Sequence, residues 1–503
     1  MDAADKGQAL EAWFREHGGY LNPSVNIAYS HEAGYRVREQ QACLSTPLLI
    51  PSQWQANAPL TPATKLTTVS HSLALSYLNA LVDDDFPVFR DRRHDFKIKP
   101  LGLFYLMTQY IHRERSFWRP YLDTLPSPDS DLTTPLWFDD AEDLAWLHST
   151  DVLHTMLARR EVYERYYEDG LCTLRSSGVD TTPYTWDLFR WSITMFTSRS
   201  FSSRAIAPQG SRYWTTYKMN AQGRRQTVLL DMSHAPAEDL DFSVLFPVQD
   251  ASNHSNDAHV DWAFDPGRFS ISINDPVEAD GEVLNNYGWK GNDELLMGYG
   301  FCIPDNPYDT VMLTLKPPPE DLQKELSRVH PGYFSAGEQW SSERATFRLR
   351  RLPPAGPEAE RIFQDLPEPL LELLLYILRC ERGLPFEFQE LPLEYLTTSP
   401  TGRHYLPHVA RMIVQSLVPK LQKLQDVALH ANDSSNNKQR QAGIYRSGQI
   451  EIIQATIAGL RTFTRSLLKP PMIPGPRCVT LEGLLELWSH RASAKTVMPF
   501  NAE

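Results

Sequence analysis

Residues 244–301 limit what this chain can fold into more than any other part of it. An apolar run at their start leads into a polar cluster that holds Asp250, Asn253 and His254. A strand-like segment follows, and two Tyr-Gly pairs then lie twelve residues apart. Buried polar groups cost free energy unless they are hydrogen-bonded. We therefore expect the acid, the amide, the imidazole and the two phenols to surround a polar ligand or one another.

The pattern Asp-x-x-Asn-His, followed by residues 287–301, resembles the C-terminal half of a SET domain. Those residues read Tyr-Gly-Trp-Lys-Gly-Asn-Asp-Glu-Leu-Leu-Met-Gly-Tyr-Gly-Phe, and the notable departure from the family pattern is Gly291, where serine is usual. The closer resemblance is to the subfamily of the Rubisco large-subunit lysine methyltransferase, which includes ribosomal-protein lysine methyltransferases and the actin histidine methyltransferase. The resemblance implies a protein methyltransferase that uses S-adenosyl-L-methionine.

Two further segments resemble this subfamily. Residues 115–126 are similar to its Ser-Phe-Trp-x-Pro-Tyr-x-x-x-Leu-Pro pattern, in which the aromatic residues favour packing, and residues 198–201 are similar to its Ser-Arg-x-Phe pattern. The family's glycine turn, which lies against the cofactor, corresponds to the region of Gly34, but Arg36 stands where a second glycine belongs. Since a side chain blocks the close backbone approach that glycine permits, this turn is not among the predicted sites.

The resemblance implies a role for each matched side chain. Tyr287 corresponds to the catalytic tyrosine that holds the incoming amine, and Tyr299 corresponds to a second phenol that hydrogen-bonds the amine. Phe201 is predicted to line the channel for the aliphatic part of a lysine. The predicted cofactor-binding residues are Arg199 at the carboxylate, Asp250 near the amino-acid end, Asn253 and His254 at the adenine, and Phe301. Taken alone, an Asn-His dipeptide favours a capped turn and a buried tyrosine favours packing, but the surrounding match favours a site.

The composition of the chain limits which partners and which cell compartment we expect. The formal net charge of −13 argues against nucleic acid as the main partner, because phosphate binding needs a basic face. Five cysteines lie far apart without a Cys-x-x-Cys pair, which predicts reduced thiols and no metal site. The N-terminal residues lack the apolar core of a signal peptide, and the most apolar run, residues 370–380, is too short to span a membrane. We expect a monomer of the cytoplasm or nucleus.

The expected fold class is α+β. The resemblance implies a SET domain of small curved sheets over residues 8–310, with a helical insertion at about residues 130–240, and an all-α substrate-binding domain over residues 320–495. The polar, irregular residues 204–241 predict an exposed loop or insertion. A helical face in the last third of the chain is predicted by the spacing of Ile450, Ile453, Ile457 and Leu460.

Three functions remain open from the sequence. The first is a protein-lysine methyltransferase, and the second is a protein-histidine methyltransferase on the same scaffold. Lysine is favoured because the histidine-modifying member of the subfamily lacks the residues matched here by Tyr299 and Phe201. The third is a SET-fold binding module without catalysis, which Arg36 supports and the retained site residues oppose. Family precedent suggests a ribosomal protein or a translation factor as the substrate.

Overall fold

The computed structural model describes residues 3–29, 52–206, 212–219, 225–236, 240–329, 331–335, 339–352, 362–382, 400–426 and 434–468. The predicted glycine-turn region around Gly34 and Arg36 lies outside them. The helices are α1 (Ala3–Glu16), α2 (Tyr77–Ala80), α3 (Val88–Asp91), α4 (Ile98–Ile111), α5 (Arg119–Leu122), α6 (Ala141–Leu147), α7 (Asp151–Ser176), α8 (Trp186–Arg199), α9 (Asn292–Tyr299), α10 (Glu320–Val329), α11 (Ile362–Asp365), α12 (Glu368–Arg382), α13 (Pro400–Gln425) and α14 (Asn437–Leu468). The strands are β1 (Tyr20–Leu21), β2 (Val25–Tyr29), β3 (Ser52–Ala56), β4 (Thr64–Ser70), β5 (Ser200–Ser202), β6 (Tyr213–Met219), β7 (Arg225–Asp231), β8 (Ser243–Leu245), β9 (Val260–Asp265), β10 (Arg268–Ile273), β11 (Thr310–Thr314) and β12 (Thr346–Arg350).

Small antiparallel sheets carry the β-structure of the described residues, and the predicted α+β class is confirmed. The largest sheet has four strands in the order β1-β4-β10-β9, and the other sheets pair β2 with β3, β5 with β8, β6 with β7, and β11 with β12. Along β10 the side chains of Phe269, Ile271 and Ile273 are buried. Pairing β10 with β4 therefore fixes the segment that follows the polar cluster against the N-terminal part of the chain.

The described residues form two large apolar cores, and the boundary between them in the sequence lies between Val283 and Val311. The first contains buried residues from Leu10 to Val283, and the second contains buried residues from Val311 to Phe463. A smaller cluster lies between them and joins α6 and α7 to α9 and α14. The division into domains near residues 310–320 stays a proposal. In the second core, β11 and β12 add a two-stranded sheet to helices α10–α14.

No helix among the described residues is both long and apolar enough to cross a membrane.

Among the described residues of the segment predicted as a helical insertion, the α-helices end at Arg199. Beyond α8 the chain forms β5, and strands β6 and β7 pair where the sequence predicted an exposed loop or insertion. Trp214 and Thr216 of β6 are buried, whereas all the side chains of β7 are exposed or half-buried. A strand pair with one face in water carries many polar residues, so its sequence resembles that of a loop. For this reason the sequence did not predict the strand pair.

Arg446 of α14 joins the C-terminal helices to the insertion. The guanidinium is buried, and it donates to the carbonyl oxygens of Leu424 at 2.7 and 3.1 Å, Trp146 at 3.1 Å and His148 at 2.9 Å. Leu424 lies at the end of α13, and Trp146 and His148 lie at the end of α6. The last carbonyls of a helix have no partner inside the helix and carry partial negative charge. One guanidinium thus donates hydrogen bonds to carbonyl oxygens at the ends of two helices.

We expect the substitution Arg446→Gln to lower the free energy of unfolding by about 3 kcal/mol, because several buried carbonyl oxygens lose their donors. Urea denaturation of the full chain measures this loss. Arg461→Gln is the control, since Arg461 is exposed on the same helix. An equal loss in the two variants would show that Arg446 has no special structural role.

Candidate active site

A buried turn carries several of the predicted cofactor residues. A short 3₁₀ turn over Gln249–Ala251 follows β8. Val248, which precedes it, has a φ of +75°, a conformation that a β-branched residue rarely adopts. Neighbouring groups hold the turn: Trp54 Nε1 donates to the carbonyl oxygen of Val248 at 3.0 Å, and Gln249 Nε2 donates to that of Phe269 at 2.9 Å. Strained backbone persists only where the surroundings enforce it, and it is common at functional sites.

Asp250 and Arg199 form a buried ion pair. Arg199 is the last residue of α8, and its Nη1 lies 3.3 Å from Oδ2 of Asp250, with the two side chains 2% and 3% exposed. The hydroxyl of Tyr121 donates to the same carboxylate oxygen at 2.6 Å. Burial raises the pKa of Asp250, and the Arg199 guanidinium and the Tyr121 hydroxyl oppose that rise. Asp250 therefore orients the guanidinium of Arg199.

His254 positions the backbone of Tyr287. Its Nδ1 accepts a hydrogen bond from the backbone N–H of Tyr287 at 3.0 Å, and its Nε2 lies 3.1 Å from Oδ1 of Asn256. These partners require a neutral ring that carries its proton on Nε2. Burial lowers the pKa of His254 to about 4, which keeps the ring neutral at pH 7. Both ring nitrogens are engaged within the chain, so His254 has no free ring nitrogen for an adenine.

The two predicted phenols lie face to face. The ring centroids of Tyr287 and Tyr299 are 5.0 Å apart, and the ring of His254 also stacks on Tyr287 at 4.9 Å. The hydroxyl of Tyr287 donates to the backbone carbonyl oxygen of Ser252 at 2.7 Å. Burial raises the pKa of both phenols, to about 12 for Tyr299. Both hydroxyls therefore stay protonated at pH 7.

The glycine after each tyrosine explains the repeated Tyr-Gly pair. Gly288 and Gly300 have φ values of +101° and +80°, a region that L side chains rarely adopt. Gly300 ends α9, and its N–H reaches two carbonyl oxygens of the last turn, as a left-handed residue does at many helix ends. The chain turns directly after each phenol, and Phe301 comes to lie 6.1 Å from Tyr299 between ring centroids.

Phe201 lies in an aromatic group of its own rather than in the phenol stack. Its ring centroid is 5.3 Å from that of Trp262 and 4.9 Å from that of Phe269. The indole N–H of Trp262 donates to Oδ1 of Asn285 at 3.1 Å, and the backbone N–H of Asn285 donates to the carbonyl oxygen of Asn253 at 2.7 Å. Trp262 and Asn285 thus connect Phe201 to the polar turn.

The structure adds four residues to the site that sequence reasoning missed: Tyr121, Trp262, Glu282 and Asn285. Glu282 accepts a hydrogen bond from Nδ2 of Asn253, and burial raises the pKa of Glu282. Tyr121 lies in the matched aromatic segment that was interpreted as packing, so its place in a recognised pattern was the available signal. No sequence motif for catalysis or binding marks the segments that contain the other three residues, Trp262, Glu282 and Asn285.

Several buried polar atoms of this site have no partner among the described residues. They include Nε and Nη2 of Arg199, Oδ1 of Asn253 and Oγ of Ser252. A buried donor or acceptor left unpaired costs about 1–3 kcal/mol, so such a set indicates a polar ligand. Two guanidinium donors fit a carboxylate and the amide oxygen fits an amino group, and S-adenosyl-L-methionine carries both. In the part of the chain that the structure describes, no group of three or more His, Cys, Asp or Glu side chains could hold a metal ion.

No protein-family model matches the chain, but individual proteins do. The ribosomal lysine N-methyltransferase set10 of Schizosaccharomyces pombe is 28% identical over 380 residues, which cover 74% of this chain and 60% of that protein. The protein-lysine N-methyltransferase EFM1 of Saccharomyces cerevisiae is 24% identical over 338 residues, covering 61% of this chain and 51% of that protein. An actin-histidine N-methyltransferase of Gallus gallus is 23% identical over 206 residues, covering 40% of this chain and 29% of that protein.

A solved structure decides the fold. The SET domain of LSMT, bound to lysine and AdoHcy, matches with a TM-score of 0.60 at 15% identity and covers 98% of this chain and 99% of that one. The chain has the SET fold. The predicted resemblance to the Rubisco methyltransferase-like subfamily is confirmed by this fold and by the relatives. Within the SET fold, the polar turn, the phenol stack and the end of α8 meet at one place.

Burial of His254 should make the stability of the fold depend on pH. The ordinary pKa of histidine is 6.5, and that of His254 in the folded chain is about 4. Between these two pH values, His254 is protonated in the unfolded chain and neutral in the folded chain. Stability therefore falls as the pH falls, and His254 contributes up to about 1.4 kcal/mol per pH unit. In His254→Gln, the free energy of unfolding should fall less steeply by up to that amount. Urea denaturation at a series of pH values measures both slopes, and equal slopes would contradict the assignment.

Proposed function

We propose that this chain is a protein-lysine N-methyltransferase that transfers a methyl group from S-adenosyl-L-methionine to a lysine side chain of a protein substrate. The observation that carries the proposal is the stack of protonated phenols, Tyr287 and Tyr299, beside a turn whose guanidinium partner, Arg199, keeps unpaired donors. Two relatives are lysine N-methyltransferases, and a protein of the same fold binds lysine, which supports the proposal.

S-adenosyl-L-methionine, when bound, supplies a methyl group that a positively charged sulfur activates for transfer. In our proposal Arg199 holds the carboxylate through Nε and Nη2, while Asp250 keeps the guanidinium in place. Oδ1 of Asn253 accepts a hydrogen bond from the adenine amino group. Phe301, packed at 6.2 Å from His254 between ring centroids, contributes an aromatic surface beside the turn.

The acceptor amine must be neutral before it can react. A free lysine has a pKa of ~10.4, so neutralising it at pH 7 costs about 4 to 5 kcal/mol. Aromatic surroundings and a nearby positive sulfur both disfavour the ammonium form, and the proton leaves to water. Because the hydrogen of the Tyr287 hydroxyl points to Ser252, its oxygen can accept an N–H of the amine and aim the nitrogen lone pair. The neutral nitrogen would then accept the methyl group that the bound cofactor supplies, and no dedicated base would be required.

The acceptor proposed here is lysine, and histidine is the second candidate. The histidine-modifying member of the subfamily lacks the residues matched by Tyr299 and Phe201, and this chain has both. Phe201 and Trp262 also form an apolar wall that suits a methylene chain. A match to an actin-histidine methyltransferase keeps the alternative open. A SET-fold binding module without catalysis is the third possibility.

We expect Tyr287→Phe to reduce methyl transfer about 100-fold or more, because the amine loses the oxygen that aims it. Transfer of labelled methyl groups to proteins of a cell extract measures the rate, and mass spectrometry of the product identifies lysine or histidine as the acceptor. Tyr308→Phe is the matched control, since Tyr308 is 37% exposed and lies outside the phenol stack. Full activity in Tyr287→Phe would exclude Tyr287 as a catalytic residue.

Cofactor binding can be tested apart from catalysis. Calorimetric titration with S-adenosyl-L-methionine should show affinity about tenfold weaker in Asn253→Ala, the usual loss for one hydrogen bond. Tyr287→Phe should bind the cofactor as the unaltered chain does. Asn57→Ala replaces an exposed asparagine and serves as the control. Unchanged affinity in Asn253→Ala would remove that residue from the cofactor site.

The substrate and setting are also proposals. A ribosomal protein or a translation factor is the favoured substrate, and one relative is a ribosomal lysine methyltransferase. We propose a monomer of the cytoplasm or nucleus that binds neither nucleic acid nor membrane. The net charge of −13 supports the exclusion of nucleic acid as the main partner, and Cys172 and Cys302 are free thiols, as a reducing compartment favours.

A further inference from the structure

A groove of about 930 Å³ lies beside the strand that carries Phe201. The start of α4 forms one wall, and the end of α8 together with β5 and the residues before β8 forms the other. Phe201 itself lines the groove, and two residues before it Arg199 enters the buried ion pair with Asp250. Phe201 therefore belongs both to the lining of the groove and to the aromatic group that we assign to the acceptor channel.

One wall of this groove is positively charged. Among the described residues that line the groove, the charged side chains are Arg93, Lys97 and Lys99, with His94 beside them, and Asp241 is the one carboxylate. This balance is the reverse of that of the whole chain, which carries 62 acidic and 49 basic residues. A local excess of cations on an acidic protein indicates a partner or a segment of opposite charge.

The cations of the groove have no carboxylate partners in the described part of the chain, whereas their neighbours do. Arg90 is ion-paired with Asp84 and Asp91, and Arg92 is ion-paired with Asp95. No such pair involves the three groove cations, Arg93, Lys97 and Lys99.

Aromatic rings take the place of carboxylates for the two lysines. Lys97 Nζ lies 5.5 Å from the ring centroid of Tyr166, and Lys99 Nζ lies 5.3 Å from that of Tyr163. A ring holds an ammonium group by cation–π attraction and leaves its positive charge uncompensated. The two charges are thus held in place and remain available.

The helix that begins at this wall adds to the positive field. Lys97 is the N-cap residue of α4, it makes no side-chain capping bond, and the first turn holds no acidic residue. The N-terminus of a helix carries partial positive charge, so acidic residues stabilise it and lysines there oppose it. Lys97 and Lys99 therefore lower the stability of α4, and anion binding is a function that accounts for them.

We propose that this groove binds an acidic segment of the protein substrate that flanks the acceptor lysine. The inference rests on the proposed function for the identity of the partner. A peptide is favoured over RNA because the groove shares Phe201 with the proposed acceptor channel, where the substrate chain must lie. Three cations on a chain with a net charge of −13 also do not form the extended basic face that RNA binding needs.

Fluorescence anisotropy with labelled synthetic peptides tests the proposal on the full chain in the presence of S-adenosylhomocysteine. Two short peptides carry one central lysine and alternate serine with either glutamate or glutamine. We expect the glutamate peptide to bind about tenfold tighter at low salt and to lose most of this preference at high salt. The variant Arg93→Glu/Lys97→Glu/Lys99→Glu should lose the preference at either salt concentration.

The control variant Lys316→Glu/Lys324→Glu/Arg328→Glu makes the same change of charge at exposed positions outside the groove, and it should keep the preference. The glutamine version of the groove variant serves if the glutamate version unfolds early on heating. Equal binding of the two peptides, a preference that survives in the groove variants, or groove-dependent binding of oligouridine instead of the acidic peptide would each overturn the proposal. Methyl transfer is assayed separately. A preference for the glutamate peptide without methyl transfer would support the groove proposal and contradict the proposed function. Methyl transfer without that preference would support the proposed function and contradict the groove proposal.

Discussion

The structure of this protein depends on the burial of one polar turn, residues 249–254. Amide, carboxylate, hydroxyl and imidazole groups that leave water cost free energy unless they find partners. Oε1 of Gln249, Oγ of Ser252 and Oδ1 of Asn253 have none among the described residues, but other groups of the turn are paired within the chain. The partners come from distant parts of the chain: Trp54 donates to the backbone just before the turn, Tyr121 and Arg199 bind its carboxylate, and Asn285 pairs with its backbone. Satisfying the turn therefore draws the N-terminal sheet, the insertion and the segment before α9 to the same place.

The C-terminal helices support the phenol stack from the other side. Gln441 of α14 accepts a hydrogen bond from the backbone N–H of Cys302 at 2.7 Å, directly after Phe301. Asn292, the first residue of α9, receives a hydrogen bond from the backbone N–H of Ile303 at 2.7 Å and donates to the carboxylate of Asp309 at 2.9 Å. The two ends of α9 are thus fixed, and with them the position of Tyr299. The region predicted to bind substrate is also a structural support for the candidate catalytic groups.

The sequence predicted those parts of the site that depend on local spacing. Tyr287 and Tyr299 stack as expected, because a helix that must end at Gly300 returns the second phenol to the first. What the sequence could not predict are pairs formed across long distances, such as Tyr121 with Asp250 and Arg446 with the end of α6. Nothing in the spacing of a single chain indicates which of several buried polar groups will pair.

The role of His254 shows the same limit in a different form. The Asn-His pair is predicted from its motif, and in the structure the ring of His254 accepts a hydrogen bond from the backbone N–H of Tyr287. The motif indicates where the ring lies, whereas the partner of each ring nitrogen depends on residues outside the pair, Asn256 and Tyr287. Hydrogen-bond roles within a recognised motif are therefore the least predictable part of the site.

The charged groups of the candidate site and those of the groove have different surroundings. Inside the candidate site the guanidinium of Arg199 is paired with Asp250, and the phenols and His254 are neutral. An unpaired charge in such a place would be costly, since a buried environment strongly disfavours it. The unpaired cations lie outside, on the wall of the groove, where water keeps their cost low and their field still reaches an approaching partner. The candidate site thus holds its buried guanidinium in an ion pair, and the attraction that would bring the substrate there comes from the groove.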